Sequence, residues 1–266
     1  MSFLTLDQVS HYYFSPANYM KALEDISFSV NEGEFISIIG PSGCGKSTIL
    51  SIIARIIEHT EGNIYIKEED VMHSSVQIGY MLQQDYLFPW KTILDNILLG
   101  PKMNDDTTEE TANKALQFLE DVHLLGTENQ YPSELSGGMR QRVALLRTLI
   151  TDPDILLFDE PFSALDYVTK LKLENIVAKM VKMYRKTAIL VTHDLGEAIS
   201  MSDRIILMDT KPGRIANIFD VPESIRNIEP FYVRRHTEYQ TLFDHIWAQL
   251  SDDTVTERNQ QYERDN

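Results

Sequence analysis

An α/β fold built on a parallel sheet is predicted by three features of this sequence. Phe35-Ile36-Ser37-Ile38-Ile39 reads as a buried strand running into the glycine-rich turn Gly40-Pro41-Ser42-Gly43-Cys44-Gly45-Lys46-Ser47-Thr48. Behind the turn, Ile49, Leu50, Ile52, Ile53, Ala54, Ile56 and Ile57 predict a helix apolar on most sides. Further along, Ile155-Leu156-Leu157-Phe158 and Ala188-Ile189-Leu190-Val191 are short apolar runs separated by a helix, the pattern of central parallel strands covered on both faces.

Taken in order, Phe3-Leu4-Thr5-Leu6 and Ile26-Ser27-Phe28-Ser29-Val30 alternate apolar and polar residues and predict strands of a half-exposed, antiparallel N-terminal β-subdomain. Asn31-Glu32-Gly33-Glu34 is the turn before the buried strand. Gly62-Asn63-Ile64-Tyr65-Ile66 and Gln77-Ile78-Gly79-Tyr80-Met81-Leu82 predict two more strands. From about Pro89 to Leu149 helical patterns dominate. Between Thr111 and Val122, for instance, Ala112, Ala115, Leu116, Leu119 and Val122 share a face, so residues 89–149 are expected to be an inserted α-helical subdomain. Arg204-Ile205-Ile206-Leu207-Met208 predicts another strand. Residues 1–230 are expected to form the main domain, and 231–266 a C-terminal helix, around Tyr239 to Leu250, with a polar tail from Ser251 to Asn266 expected to be disordered. No internal repeat is present.

Of the 266 residues 43% are hydrophobic, enough for a proper core. Forty Asp and Glu against 24 Lys and Arg give a net charge of -16, which argues against a broad electrostatic grip on nucleic acid or on an anionic membrane surface. No apolar stretch has the length of a membrane span, and Met1-Ser2-Phe3-Leu4-Thr5 lacks the regions of a secretion signal, so the expected location is the cytosol. Cys44, the single cysteine, has no partner for an internal disulfide and reads as a small loop residue. His11, His59, His73, His123, His236 and His245 show no metal-ligand spacing.

The turn from Gly40 to Thr48 is a complete G-x-x-x-x-G-K-[ST] phosphate loop between a strand and a helix, the setting that the motif requires for binding a nucleoside triphosphate. Its glycines let backbone N–H groups turn inward around phosphate oxygens, at a helix N-terminus carrying partial positive charge. In this arrangement Lys46 reaches the β- and γ-phosphates and Ser47 ligates Mg²⁺. The strand Ile155-Leu156-Leu157-Phe158 ends in Asp159-Glu160. At the C-terminal end of a strand beside a phosphate loop, Asp159 can hold Mg²⁺, which leaves Glu160 to act as general base toward the water that attacks the γ-phosphate.

Leu135-Ser136-Gly137-Gly138-Met139-Arg140-Gln141-Arg142 completes the pattern. With this segment just ahead of the Asp159-Glu160 strand, the chain resembles the ATPase subunits of ATP-binding-cassette (ABC) transporters from about residue 3 to 220. The resemblance implies a P-loop NTPase (RecA-like) core, ATP and Mg²⁺ as cofactors, and a homodimer in which Ser136, Gly137 and Gly138 bind the γ-phosphate of ATP held on the second copy. A helix cap at Met139 would use the same Ser-Gly-Gly. By the same resemblance Tyr13, with Tyr12 as second choice, stacks on adenine; Gln83 senses Mg²⁺ and the attacking water; Ser163-Ala164-Leu165-Asp166 meets its counterpart across the dimer; and His193 contacts the γ-phosphate. The partners implied are integral membrane permease subunits and, indirectly, a solute-binding protein, with this chain peripheral on the cytoplasmic side of the membrane. Two departures concern packing: Met81-Leu82 replaces an aromatic before Gln83, and Leu146 and Thr148 are bulkier than the alanines expected in the signature helix.

Leu87-Phe88-Pro89-Trp90-Lys91-Thr92-Ile93-Leu94-Asp95-Asn96-Ile97 and Lys211-Pro212-Gly213-Arg214-Ile215 resemble the nitrate, sulfonate and taurine importer group. The apolar Leu87 to Trp90 reads either as part of a docking groove for a permease helix or as filling between two lobes. Two other functions compete with the importer. Cassette ATPases of translation or DNA maintenance resemble tandem cassettes or carry long coiled-coil or basic insertions, neither visible here, and a kinase or switch GTPase has no need of the segment Leu135 to Met139.

Overall fold

The computed structural model describes residues 2–16, 18–210 and 212–264, without the side chains of 252–264. Its first elements are β1 (Ser2–Ser15), β2 (Asn18–Asn31), β3 (Phe35–Ile39), α1 (Lys46–Ile53), β4 (Glu61–Ile66), β5 (Glu69–Asp70) and β6 (Ile78–Met81). Then come α2 (Ile93–Ile97), α3 (Leu99–Met103), α4 (Glu109–Asp121), α5 (Gly137–Leu149), β7 (Ile155–Asp159), α6 (Tyr167–Met183) and β8 (Thr187–Val191). The chain closes with α7 (Leu195–Met201), β9 (Arg204–Asp209), β10 (Arg214–Asp220), α8 (Glu223–Arg226), α9 (Pro230–Val233) and α10 (Thr237–Arg264). Two compact units result: Met1–Ser74 with Leu190–Asn266, and Ser75–Ile189.

In the first unit, strands β2-β1-β4-β5 form an antiparallel sheet in which Leu6 opposes Phe28 on one side and Ile64 on the other. The strand predicted over residues 3–6 runs on to Ser15. A bulge between Leu6 and Val9, with Gln8 at φ 51, breaks the two-residue alternation by which a strand is recognised, and Val9, Ser10 and His11 are buried in succession. The same unit holds β3, buried at all five positions and parallel to β9, with β10 antiparallel at the edge. Below β9 and β10, Leu195 and Ile199 of α7 pack with Phe219, Val221, Ile225 and Val233. Tyr239, Leu242 and Ile246 of α10 join them at helical spacing.

Two expectations for helices are corrected. The helix behind the phosphate loop stops at Ile53 because Arg55 takes a left-handed φ of 61, and Ile56 is left exposed although the apolar run continues through it. Conversely, α10 does not stop at Leu250; its backbone stays helical to Arg264.

In the second unit β7 lies between β6 and β8, and β6 runs parallel to β7 with Ile78 opposite Ile155 and Met81 opposite Phe158. Helices α2 to α4 pack with α5, which also lies against β6. Thr148 of α5 needs more room than alanine and finds it over Gly79, where a Cβ would come within 2.7 Å of its methyl group. No helix among the described residues is long and apolar enough to cross a membrane.

Candidate nucleotide site

The first unit holds the phosphate loop, Tyr13 and His193. Strand β3 delivers Gly40 at φ 152, where a Cβ would stand 2.6 Å from the Met208 carbonyl oxygen, and Gly45 at φ 92, where it would stand 2.5 Å from Leu23 Cδ2. Only glycine fits either position. Gly45 is also the N-cap of α1 and has no side chain to satisfy the first N–H groups of the helix, which suits an anion. Lys46 is buried, and its Nζ donates to the carbonyls of Gly40 (2.8 Å) and Pro41 (2.9 Å), so the cation is held at the loop by neutral acceptors that a phosphate can replace. Cys44 Sγ lies 3.7 Å from that ammonium; burial pushes the thiol up, and the Lys46 charge offsets this only in part. Gly213 lies against the Cys44 carbonyl, where any Cβ would collide, so the Pro212-Gly213 turn backs the phosphate loop.

Tyr13 and Tyr12 point to opposite faces of β1. The Tyr13 hydroxyl shares a hydrogen bond of 3.2 Å with Thr48 Oγ1, at the start of α1, and its ring meets His11 edge-on at 4.7 Å. Tyr12 instead packs with Phe14 and Tyr19, under Lys21 Nζ. Tyr13 is therefore the aromatic beside the loop. His193 is exposed at the end of β8. Its neighbours are fixed: the Thr192 N–H donates to the Ile38 carbonyl, the Thr192 hydroxyl donates to Glu197, and Asp194 caps α7 by accepting from Gly196 N (2.7 Å) and Glu197 N (3.1 Å).

Gln83, Ser136, Gly137, Gly138, Asp159 and Glu160 belong to the second unit. Asp159 ends β7 and accepts from the Tyr80 hydroxyl at 3.3 Å. Glu160 follows at φ 48, a left-handed conformation that costs a non-glycine residue about 1 kcal/mol or more. Ser163 closes the turn: its N–H and hydroxyl both donate to the Glu160 carbonyl, at 3.2 and 3.0 Å, and its Oγ accepts from Gln83 Nε2 at 3.1 Å. The structure thus links Gln83 to the Glu160 turn through Ser163, a connection between segments 80 residues apart that no local pattern announces.

The signature segment does act as a cap. Helix α5 opens at Gly137, two residues ahead of the expected Met139, with the Ser136 hydroxyl accepting from Met139 N at 3.4 Å. Gly138 is buried against α6, where a Cβ would run into Thr169 Cγ2. Asp166 caps α6 through Thr169 N at 3.1 Å, and its bonds to Thr169 hold its carboxyl below the ordinary value.

A buried strand, a phosphate loop and a helix that starts without a side-chain cap are the architecture of a P-loop nucleotide-hydrolysing α/β protein. The chain belongs to the ABC transporter family, as an ATP-binding ATPase subunit; the family's model, described as ABC transporter, matches residues 23–163. It is 52% identical over 259 residues, 97% of its length and all of the relative's, to the ABC transporter ATP-binding protein YtlC of Bacillus subtilis (strain 168). It is 40% identical over 217 residues, 82% of this chain and 85% of the other, to the aliphatic sulfonates import ATP-binding protein SsuB of Bacillus anthracis. With the taurine import ATP-binding protein TauB of Pelagibacter ubique (strain HTCC1062) it shares 40% over 208 residues, 78% of each. Among solved structures it is similar to the dimeric post-hydrolysis state of the ATP-binding cassette MJ0796 bound to ADP and Pi, at a TM-score of 0.71 and 33% identity over 82% of this chain and 99% of that one.

Proposed function

We propose that this chain is the ATP-hydrolysing subunit of an importer for a small anion of the nitrate, sulfonate or taurine class, working as a head-to-tail homodimer on the cytoplasmic side of the membrane. The similarity to SsuB and TauB supports the substrate class, and the dimeric MJ0796 cassette supports the pairing. The observation that carries the reading is the buried Lys46 held by the Gly40 and Pro41 carbonyls at a helix start without a side-chain cap, a cradle with the charge and donors for a triphosphate.

In this reading Gly40, Pro41, Ser42, Gly43, Cys44, Gly45, Lys46, Ser47 and Thr48 wrap the phosphates and Tyr13 stacks on adenine. Ser47, Gln83 and Asp159 would hold Mg²⁺, a hard cation suited to their oxygen atoms, and the ion would supply charge neutralisation at the phosphates. Glu160 takes a proton from the attacking water, and His193 contacts the γ-phosphate. Ser136, Gly137 and Gly138 complete the site of the second copy, where the hydroxyl that caps α5 and the N–H groups behind it become ligands; a contact of this kind closes because two symmetric copies of it form together.

The permease, and through it a solute-binding protein, would dock on Tyr86 to Trp90. Trp90 is 70% exposed and Tyr86 59%, with the Trp90 ring 5.2 Å from Phe88. Leu87 is buried and Phe88 half-buried, so Tyr86 and Trp90 are the aromatic side chains of the segment open to a partner.

The test of the reading is Glu160→Gln. The variant is expected to keep ATP binding and to lose hydrolysis by about a hundredfold or more, the usual worth of a general base. On a sizing column it should move from monomer to dimer when Mg-ATP is added. Turnover at the parent rate would remove Glu160 from the mechanism, and a monomer at saturating Mg-ATP would count against the homodimer.

A further inference from the structure

One side of α5 holds a stretch of backbone that the roles above leave unexplained. Arg147 donates from Nη2 to the Asp85 carbonyl at 2.7 Å and from Nη1 to the Tyr86 carbonyl at 2.8 Å. Two turns earlier on the same face, Arg140 Nε is paired with Asp85 Oδ2 at 2.9 Å. Beside it, Gln141 Nε2 donates to the carbonyl of Gln83 at 3.0 Å. Together these α5 side chains take the polar groups of residues 83, 85 and 86.

Two details show that this grip is held at a cost. Tyr86 sits at φ 44, a left-handed conformation that an aromatic residue keeps only where its surroundings fix it. Gln141 is 4% exposed, and its Oε1 has no hydrogen-bond partner among the described residues. A buried acceptor left unpaired is unfavourable, and the amide N–H group of Gln141 offsets part of that cost by holding the Gln83 carbonyl.

We propose that Arg147, Arg140 and Gln141 are positioning residues for Gln83: by fixing the backbone from Gln83 to Tyr86, α5 sets where the Gln83 amide lies. That amide donates to Ser163 Oγ, which in turn donates to the Glu160 carbonyl, so the grip of α5 reaches the turn that carries the proposed base. The inference rests on the role proposed for Gln83 in hydrolysis. Arginine suits the task at 147 because its planar fork presents two N–H groups in fixed directions to two carbonyls, whereas a lysine ammonium at the end of a flexible stem would hold them less rigidly.

The two tryptophans, Trp90 and Trp247, make the test direct. In a Trp247→Phe background Trp90, four residues beyond Tyr86, is the sole tryptophan, and its fluorescence anisotropy without nucleotide reports how firmly the segment is held. Arg147→Ala is expected to lower that anisotropy by about one third as the segment gains nanosecond motion. It is expected to lower kcat for ATP about tenfold while KM stays within about twofold, since the phosphate loop is untouched. Arg147→Lys should fall between the two. Should Arg147→Ala not fold, Arg147→Lys and Arg140→Gln carry the same comparison. Parent anisotropy and parent kcat in folded variants would overturn the proposal. Gln83→Ala separates the two layers: if it loses turnover while Arg147→Ala does not, the positioning inference falls, and if it turns over like the parent, the role of Gln83 falls and the inference with it.

Discussion

Cys44 lies under the phosphate loop with no access to solvent, and the same burial that raises its thiol also removes it from reagents. Because it is the only cysteine, a thiol count reads this one side chain. The folded chain at pH 7 to 8 is expected to label in under about a tenth of molecules with a disulfide-exchange reagent, and fully in denaturant; rapid stoichiometric labelling of the native chain would place the thiol at the surface. A second prediction comes from Glu160. Its left-handed φ of 48 is strain stored at the residue proposed to do the chemistry, and glycine would adopt that backbone without steric penalty. Glu160→Gly should therefore lose hydrolysis as Glu160→Gln does, yet unfold at a higher temperature, by an increment worth about 1 kcal/mol. Equal melting temperatures for the two variants would mean that the turn, and not the side chain, sets the conformation at no cost.

At the scale of elements, Gly138 shows a signature residue under two demands. Besides its proposed contact with phosphate, it lets the start of α5 lie against Thr169 of α6. Gly138→Ala is expected to destabilise the chain by about 1–3 kcal/mol through overpacking, and Thr169→Ser, which removes the methyl group but keeps the hydroxyl, should recover most of that loss. If the double variant melted no higher than Gly138→Ala alone, the contact would not be the cause. Elements also show what a sequence makes legible. The phosphate loop, the Asp159-Glu160 strand and the parallel runs are local patterns with a fixed period or fixed residues, and each could be read directly. Strand β1 could not be read past Leu6, because a bulge resets its alternation, and α1 could not be ended at Ile53, because apolar residues resume at Ile56 and Ile57 beyond the left-handed Arg55. The link from Gln83 through Ser163 to Glu160 and the hold of Arg147 on residues 85 and 86 were illegible for a different reason: they join side chains to segments about 60 to 80 residues away, and no pattern within either segment encodes the pairing.

For the whole molecule the relevant balance is a net charge of -16 against the exposed aromatic side chains Tyr86 and Trp90. Such a charge is repelled by an anionic membrane surface, so in the reading proposed here attachment to the membrane has to come from protein contact and has to be concentrated. Tyr86 and Trp90 suit it: both are largely exposed, both are of the types that dominate the energy of interfaces, and they stand in one loop, with Phe88 against the Trp90 ring. Replacing them should separate assembly from folding. As exposed side chains, their change to serine is expected to alter stability by no more than about 0.5 kcal/mol. Losing an aromatic anchor at the centre of an interface costs about 2 kcal/mol or more, so association with the permease should weaken about thirtyfold or more. The comparison uses membranes in which the permease is co-expressed with either the parent or the Tyr86→Ser, Trp90→Ser chain, measuring the share of ATPase that purifies with the permease alongside the melting temperature and ATP binding of each isolated subunit. Loss of co-purification with unchanged melting and ATP binding is the expected result. A lowered melting temperature with full co-purification would make the patch part of the fold and move the docking surface elsewhere on the chain.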